Sequence, residues 1–219
     1  AEPEPITTAP KGTYQNPEYE GFLTEMGEGV LSGVLGIFQG VGESVGIVGC
    51  GGVGLNLMQA AKMKNASPIC AVDINHKMCD LSTEMGADVF SNSIRNLPTT
   101  MDVIIDTTGV PEVIADAYDR LSPSGRLILV GQPTPGKSVE LPNAVSMFDG
   151  SGKSIRATQG GRTDPEKDIP RYIKLALRGS LDYESLHTDT FFLDEVNEAF
   201  DLLRSGNAGR IMIRIGDSE

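Results

Sequence analysis

Residues 44–73, SVGIVGCGGVGLNLMQAAKMKNASPICAVD, decide the fold. The run opens with a short apolar strand and passes into Gly49-x-Gly51-x-x-Gly54. A helix-like stretch follows, then a second apolar strand ending in Asp73. Strand, glycines, helix, strand and acid in this order form the dinucleotide-binding fingerprint, and the flanking elements separate it from a chance match. Gly49 permits the tight turn, Gly51 lets backbone approach a pyrophosphate, and Gly54 lets the helix pack on the strand. The helix start then offers free amides and the positive end of its dipole to the phosphates. Asp73 lies 19 residues beyond Gly54, where a carboxylate accepts bonds from the adenosine ribose hydroxyls and repels a 2′-phosphate. This favours NAD(H) over NADP(H). A glycine loop that binds nothing is the plain alternative.

Outward from this segment, strand-like runs at 44–48, 68–72, 88–90, 102–106, 126–130 and 154–158 alternate with helical stretches. The helices start near Val53, His76, Pro111 and Ala144. Short apolar strands alternating with helices imply parallel crossovers and a sheet covered on both faces. The expected class is α/β, a doubly wound parallel Rossmann sheet of about six strands with helices on both faces. Two more helices are expected. One covers 165–178, with Ile169, Tyr172, Ile173 and Ala176 on one face and Gly179 ending it. The other covers 194–204, with Val196, Ala199, Phe200 and Leu203 as a buried stripe. A strand at 210–215 closes the chain. Residues 1–22 hold four prolines and no sustained period, which reads as an extended tail, so the folded domain is expected over 23–219. Leu31, Val34 and Phe38 share a face if 24–40 is helical.

The 219 residues carry a net charge of −12, which sets nucleic acid and anionic membranes low as partners. No apolar run approaches the ~20 residues of a membrane-spanning helix, so no direct membrane insertion is expected. Three cysteines, Cys50, Cys70 and Cys79, do not form a secreted disulfide pattern. With no signal peptide visible, the cytoplasm or an organelle matrix, the mitochondrial one included, is the expected compartment. The start at Ala1 fits a processed form or a fragment.

The blocks VGESVGIVGCGGVGLNLMQAAKMKNASPICAVDIN, MDVIIDTTGVPEVIADAYDRLSPSGRLILVGQP and the ending DIPRYIKLALRGSLDYESLHTDTFFLDEVNEAFDLLRSGNAGRIMIRI together resemble one family. It is the zinc-type alcohol dehydrogenase branch of the medium-chain dehydrogenase/reductase superfamily, and the resemblance covers its coenzyme domain over residues 25–215. It implies that Gly49, Gly51, Gly52, Val53 and Gly54 form the pyrophosphate loop and that Asp73 binds the adenosine ribose. It places Thr107, Thr108 and Gly109 along the cofactor, and Val130, Gly131 and Gln132 at the nicotinamide carboxamide. Arg210 falls where the family has an arginine near the pyrophosphate; a solvated basic residue at a strand start is the alternative. Ser32 falls where the family has a small hydroxyl residue near the nicotinamide.

The family's N-terminal GroES-like domain has no counterpart in the sequence. That domain supplies cysteine and histidine ligands of a catalytic zinc, a proton relay and a four-cysteine structural zinc lobe. The family's third zinc ligand corresponds here to Glu28, in Gly27-Glu28-Gly29. One ligand does not make the three-ligand open site of a catalytic zinc, so no zinc and no catalytic residue are expected.

His76 and Cys79 could meet on one helix turn, but a surface histidine and a packed thiol are favoured over a metal pair. Cys50, beside a helix start, could have a lowered pKa; a small residue that fits the turn is the plainer reading. No tyrosine has the lysine four residues on that short-chain dehydrogenases use, and no Gly-x-Ser-x-Gly elbow or Walker lysine motif appears. Three readings stay open: a redox enzyme completed by another chain, a non-catalytic NAD(H)-binding accessory subunit of a larger assembly, and a fragment of a longer dehydrogenase. Each expects other protein chains as partners, in a homo-oligomer or a larger complex.

Overall fold

Strand β1 (Val45–Val48) is wholly buried, as is β2 (Ile69–Val72). Strands covered on both faces read as unbroken apolar runs, and these two do. The computed structural model describes residues 41–98, 100–158 and 164–215. The expected tail at 1–22, the helix at 24–40, Ser32 and the Gly27-Glu28-Gly29 triplet lie outside the described residues.

Six parallel strands form one sheet in the order β3-β2-β1-β4-β5-β6, with β3 Val89–Ser91, β4 Met101–Asp106, β5 Leu121–Leu129 and β6 Ser154–Ala157. This is the doubly wound Rossmann order. Alternate residues of β1 and β4 feed two cores. Val45, Ile47, Val103 and Ile105 join Leu55, Met58 and Ala61 of helix α1 (Gly52–Met63). Val48 and Ile104 join Ile114, Ala117 and Tyr118 of α3 (Pro111–Asp119) on the other face. α2 (Met78–Glu84) lies with the first core through Met78. Pro111 opens α3 at a position where its missing N–H costs nothing. α1 ends at Asn65 in the left-handed region, φ 54°, a conformation asparagine tolerates better than most residues.

Helix α4 (Pro165–Leu177) and α5 (Val196–Arg204) flank a separate parallel pair, β7 (His187–Phe192) with β8 (Arg210–Arg214). Gln59 of α1 fixes this unit to the sheet: its amide donates to the Asp182 carbonyl at 3.0 Å and accepts from the Asp182 amide at 2.7 Å.

Four expectations change. The stretch at Ala144 is only a five-residue 3₁₀ turn, entered through left-handed Asn143, and Val145 and Phe148 stay exposed instead of supplying a buried helix face. β5 begins at Leu121 rather than near 126, because a register shift between Met101 and Val103 lets the Ser-Pro-Ser-Gly stretch run with the strand. β7 was not expected, since its half-polar sequence lacks a clear period. The stripe expected to be buried on α5 is largely open: Ala199 is buried, but Phe200 and Leu203 are about half exposed, as are Ile169 and Ile173 on the shared face of α4.

Candidate functional site

β1 and β4 are neighbours although the chain order reverses between them, so their carboxyl ends open a crevice where doubly wound sheets place ligands. At this edge Gly49 turns with φ +90°, and its amide donates to the Val72 carbonyl at 2.8 Å. A side chain at Gly49 would strike the Thr107 hydroxyl, and one at Gly54 would strike the Gly49 carbonyl. These two glycines are therefore demanded by the chain's own packing. Gly51 differs: its φ is an ordinary −73°, and a Cβ there would have no neighbour within 4 Å among the described residues.

α1 starts at this loop. Gly51 caps it without a side chain, and no acidic residue lies in its first turn, so the first amides stay available to an anion. Val53 is half exposed at the same end. Arg210, at the start of β8, lays its guanidinium beside Gly52, where a Cβ would lie 3.4 Å from Nη2 and 3.3 Å from the Gly209 carbonyl. The structure thus brings a cation from the last strand to the start of the first helix.

Asp73 ends β2 next to the loop. Its Oδ2 accepts the Cys50 amide at 2.7 Å and its Oδ1 accepts the Asn75 amide at 2.8 Å. An ionised carboxylate has about four acceptor sites, so two remain for hydroxyl donors.

On the other side of β1, the Thr107 hydroxyl donates to the Val48 carbonyl at 2.8 Å and more weakly to Gly49 at 3.2 Å. Its oxygen braces the glycine loop. Gly109, at φ +69°, abuts the Gln132 backbone, where a Cβ would come within 2.6 Å of the carbonyl carbon. A Cβ on Gly131 would fall on the Gly109 amide. Backbone therefore meets backbone between the two turns, with Val130 half-buried and Gln132 exposed. Asp73, the glycine loop, residues 107–109 and residues 130–132 form one row along the carboxyl ends of β2, β1, β4 and β5. Among the described residues, the candidate cofactor residues lie on that row or, with Arg210, against it.

Sequence reasoning missed Asp106. It is fully buried and holds the row in place. Its carboxylate accepts the Thr108 hydroxyl at 2.6 Å, the Thr108 amide at 3.2 Å and the Gly109 amide at 2.9 Å. Its carbonyl accepts the amides of Val130 and Gly131 at 2.8 and 3.0 Å. An aspartate followed by Thr-Thr-Gly is an Asx-turn signal, and that pattern could have found it.

Cys50 is fully buried, and burial pushes its thiol up to about 12, which disfavours the reactive thiolate. His76 is exposed beside Asn92, and no group of three or more His, Cys, Asp or Glu among the described residues could hold a metal. These residues do not fit a catalytic zinc. An open groove of about 480 Å³, lined by Asp102, Ser122 and Arg126 among others, lies at the opposite edge of the strands, away from the row.

Comparison with known proteins gives a consistent result. The family model for zinc-binding dehydrogenases matches residues 52–178. S-(hydroxymethyl)glutathione dehydrogenase of Escherichia coli is 26% identical over 205 residues, covering 86% of this chain and 55% of the relative. Geraniol dehydrogenase of Castellaniella defragrans is 30% identical over 196 residues, covering 84% of this chain and 51% of the relative. The crystal structure of benzyl alcohol dehydrogenase from Acinetobacter calcoaceticus superposes with a TM-score of 0.77 at 26% identity, covering 94% of this chain and 59% of that one. The chain spans about half the length of the curated relatives it matches.

Proposed function

This chain belongs to the zinc-binding dehydrogenase family, and from that premise we propose that the crevice binds NAD(H). The observation that carries the reading is the space at Gly51 beside the uncapped start of α1, with Arg210 at its rim. A diphosphate fits that chemistry: backbone amides and a dipole meet it on one side and a guanidinium on the other. Asp73 takes the adenosine ribose hydroxyls and disfavours a 2′-phosphate. Thr108, Gly109, Val130, Gly131 and Gln132 line the way to the nicotinamide end. The cofactor, when bound, supplies a hydride acceptor or donor. The described residues bind and orient it, and no catalytic role is assigned to any of them.

The chain is proposed to work with other protein chains. Among the described residues the edge strand β6 has no strand on one side, and exposed Val145, Met147 and Phe148 precede it in sequence. An unpaired edge and apolar side chains both favour association. Light scattering that finds a monomer at all concentrations removes this part.

Fluorescence titration with NADH and NADPH tests the main reading. NADH should bind more tightly, and Asp73→Ala should weaken NADH and narrow the difference. Equal affinity of the unaltered chain for both, or none for either, refutes it.

A further inference from the structure

The glycine loop is gripped at two places. Asp73 holds the Cys50 amide, and Arg210 lies against Gly52. These grips come from opposite ends of the chain, and one residue joins them. The Asn75 side-chain amide donates to the Gly206 carbonyl at 2.7 Å and to the Asn207 side chain at 3.3 Å. Its own backbone amide donates to Asp73, and its side-chain oxygen accepts the Lys77 amide at 3.1 Å, which fixes the rotamer.

The segment it catches is short and stiffly made. Gly206, at φ +69°, ends α5. Asn207 is bonded through its backbone and side chain to the Ser205 hydroxyl. The Gly209 amide donates to Thr188 of β7, and a Cβ at Gly209 would meet the Leu186 carbonyl at 2.9 Å. Three residues after the point Asn75 holds comes Arg210, whose backbone pairs with His187 in the β7–β8 ladder and whose guanidinium lies beside Gly52. A long side chain takes its position from the backbone that carries it. Here that backbone is tied to the end of β2 by Asn75.

We propose that Asn75 is a positioning residue for the diphosphate: through the 206–207 turn it sets Arg210 over the start of α1. This rests on the NAD(H) reading above and assigns within it a role to a side chain that need not touch the cofactor. Asn75→Ser keeps an acceptor for Lys77 but is too short to reach Gly206. It should weaken NADH binding about five-fold, the loss expected from one such hydrogen bond. Arg210→Gln should weaken it about ten-fold or more, because a charged phosphate contact goes.

A double-mutant cycle gives the decision. If Asn75 acts through Arg210, the double variant binds no worse than Arg210→Gln alone, and circular dichroism shows all four proteins folded. Losses that multiply mean Asn75 acts independently and overturn the proposal. So does an Asn75→Ser protein with unaltered affinity. If that variant fails to fold, Asn75→Asp keeps the shape and the Lys77 acceptor while removing the donor to Gly206. It should show the same dependence on Arg210, and its absence overturns the proposal. An unaltered chain that binds no NADH overturns both this inference and the reading beneath it, whereas intact binding with an unchanged Asn75 variant overturns this inference alone.

Discussion

Replacing Asp106 by alanine should unseat the turn at 107–109. The Gly109 amide is buried, and without its carboxylate partner it loses a charge-assisted bond, at a cost of about 1–3 kcal/mol. Thr108 is exposed, so its amide and hydroxyl can turn to water, and each loss is about 0.5–1.5 kcal/mol. The sum is roughly 2–6 kcal/mol, a large share of the ~5–15 kcal/mol that stabilises an ordinary domain. With a urea m-value of about 2 kcal/mol per M, the midpoint falls by about 1–3 M. Equilibrium unfolding followed by circular dichroism measures it, and NADH titration on the folded variant should show weaker binding. Asp106→Asn keeps one acceptor oxygen and should lose roughly half as much. A loss under about 1 kcal/mol for the alanine variant, at unchanged m, would refute the claim that this carboxylate holds the turn.

Gly51 and Gly54 should separate binding from folding. Gly51→Ala should leave stability within about 0.5 kcal/mol and weaken NADH at least ten-fold, whereas Gly54→Ala should cost about 3 kcal/mol of stability by driving a methyl into the Gly49 carbonyl. At the other edge of the sheet, burial alone would raise Asp102, but the amide and hydroxyl of Ser44 and the hydroxyl of Ser122 outweigh it and lower its pKa from 3.8. A depressed carboxyl stabilises the fold above its unfolded value and loses that contribution as pH falls below it, so Ser44→Ala should flatten the stability loss between pH 4 and pH 2 in urea titrations; an unchanged slope would count against it. Burial raises Cys50 to about 12 and Cys70 to about 11, while Cys79 is half-buried, so a thiol reagent at pH 8 should label Cys79 first in the folded chain, as read by peptide mass spectrometry.

The first half of the fold is legible because two independent signals agree there. Buried parallel strands must be continuously apolar, and the glycine spacing fixes what joins them. Asp73 could be placed for the same reason. The C-terminal unit was harder. β7 carries His187, Thr188, Asp189 and Thr190 before its two phenylalanines, and its pairing with β8 gives it no sequence period of its own. The apolar stripes on α4 and α5 were visible, but a stripe does not say what covers it. Thr107 lies at the carboxyl end of β4, and there its hydroxyl serves the protein by bracing Val48 and Gly49. Asp106 left one legible mark, the Asx-turn pattern of an aspartate before Thr-Thr-Gly, whereas Asn75 reaches across the fold to the Gly206 carbonyl and the Asn207 side chain, contacts that no local pattern records.

The row of turns at the sheet edge also bears on the order in which the chain can fold. The Asp73–Cys50 bond spans 23 residues, whereas the bond from Thr107 to Val48 spans 59. Loop closure grows costlier with separation, and non-local pairings form late. The half of the crevice beside Asp73 can therefore assemble from one local β-α-β unit. The half beside residues 107–109 must wait until β4 docks beside β1. A dinucleotide bound along the whole row, as proposed above, would engage only the completed sheet, so its presence should slow unfolding rather than hasten folding.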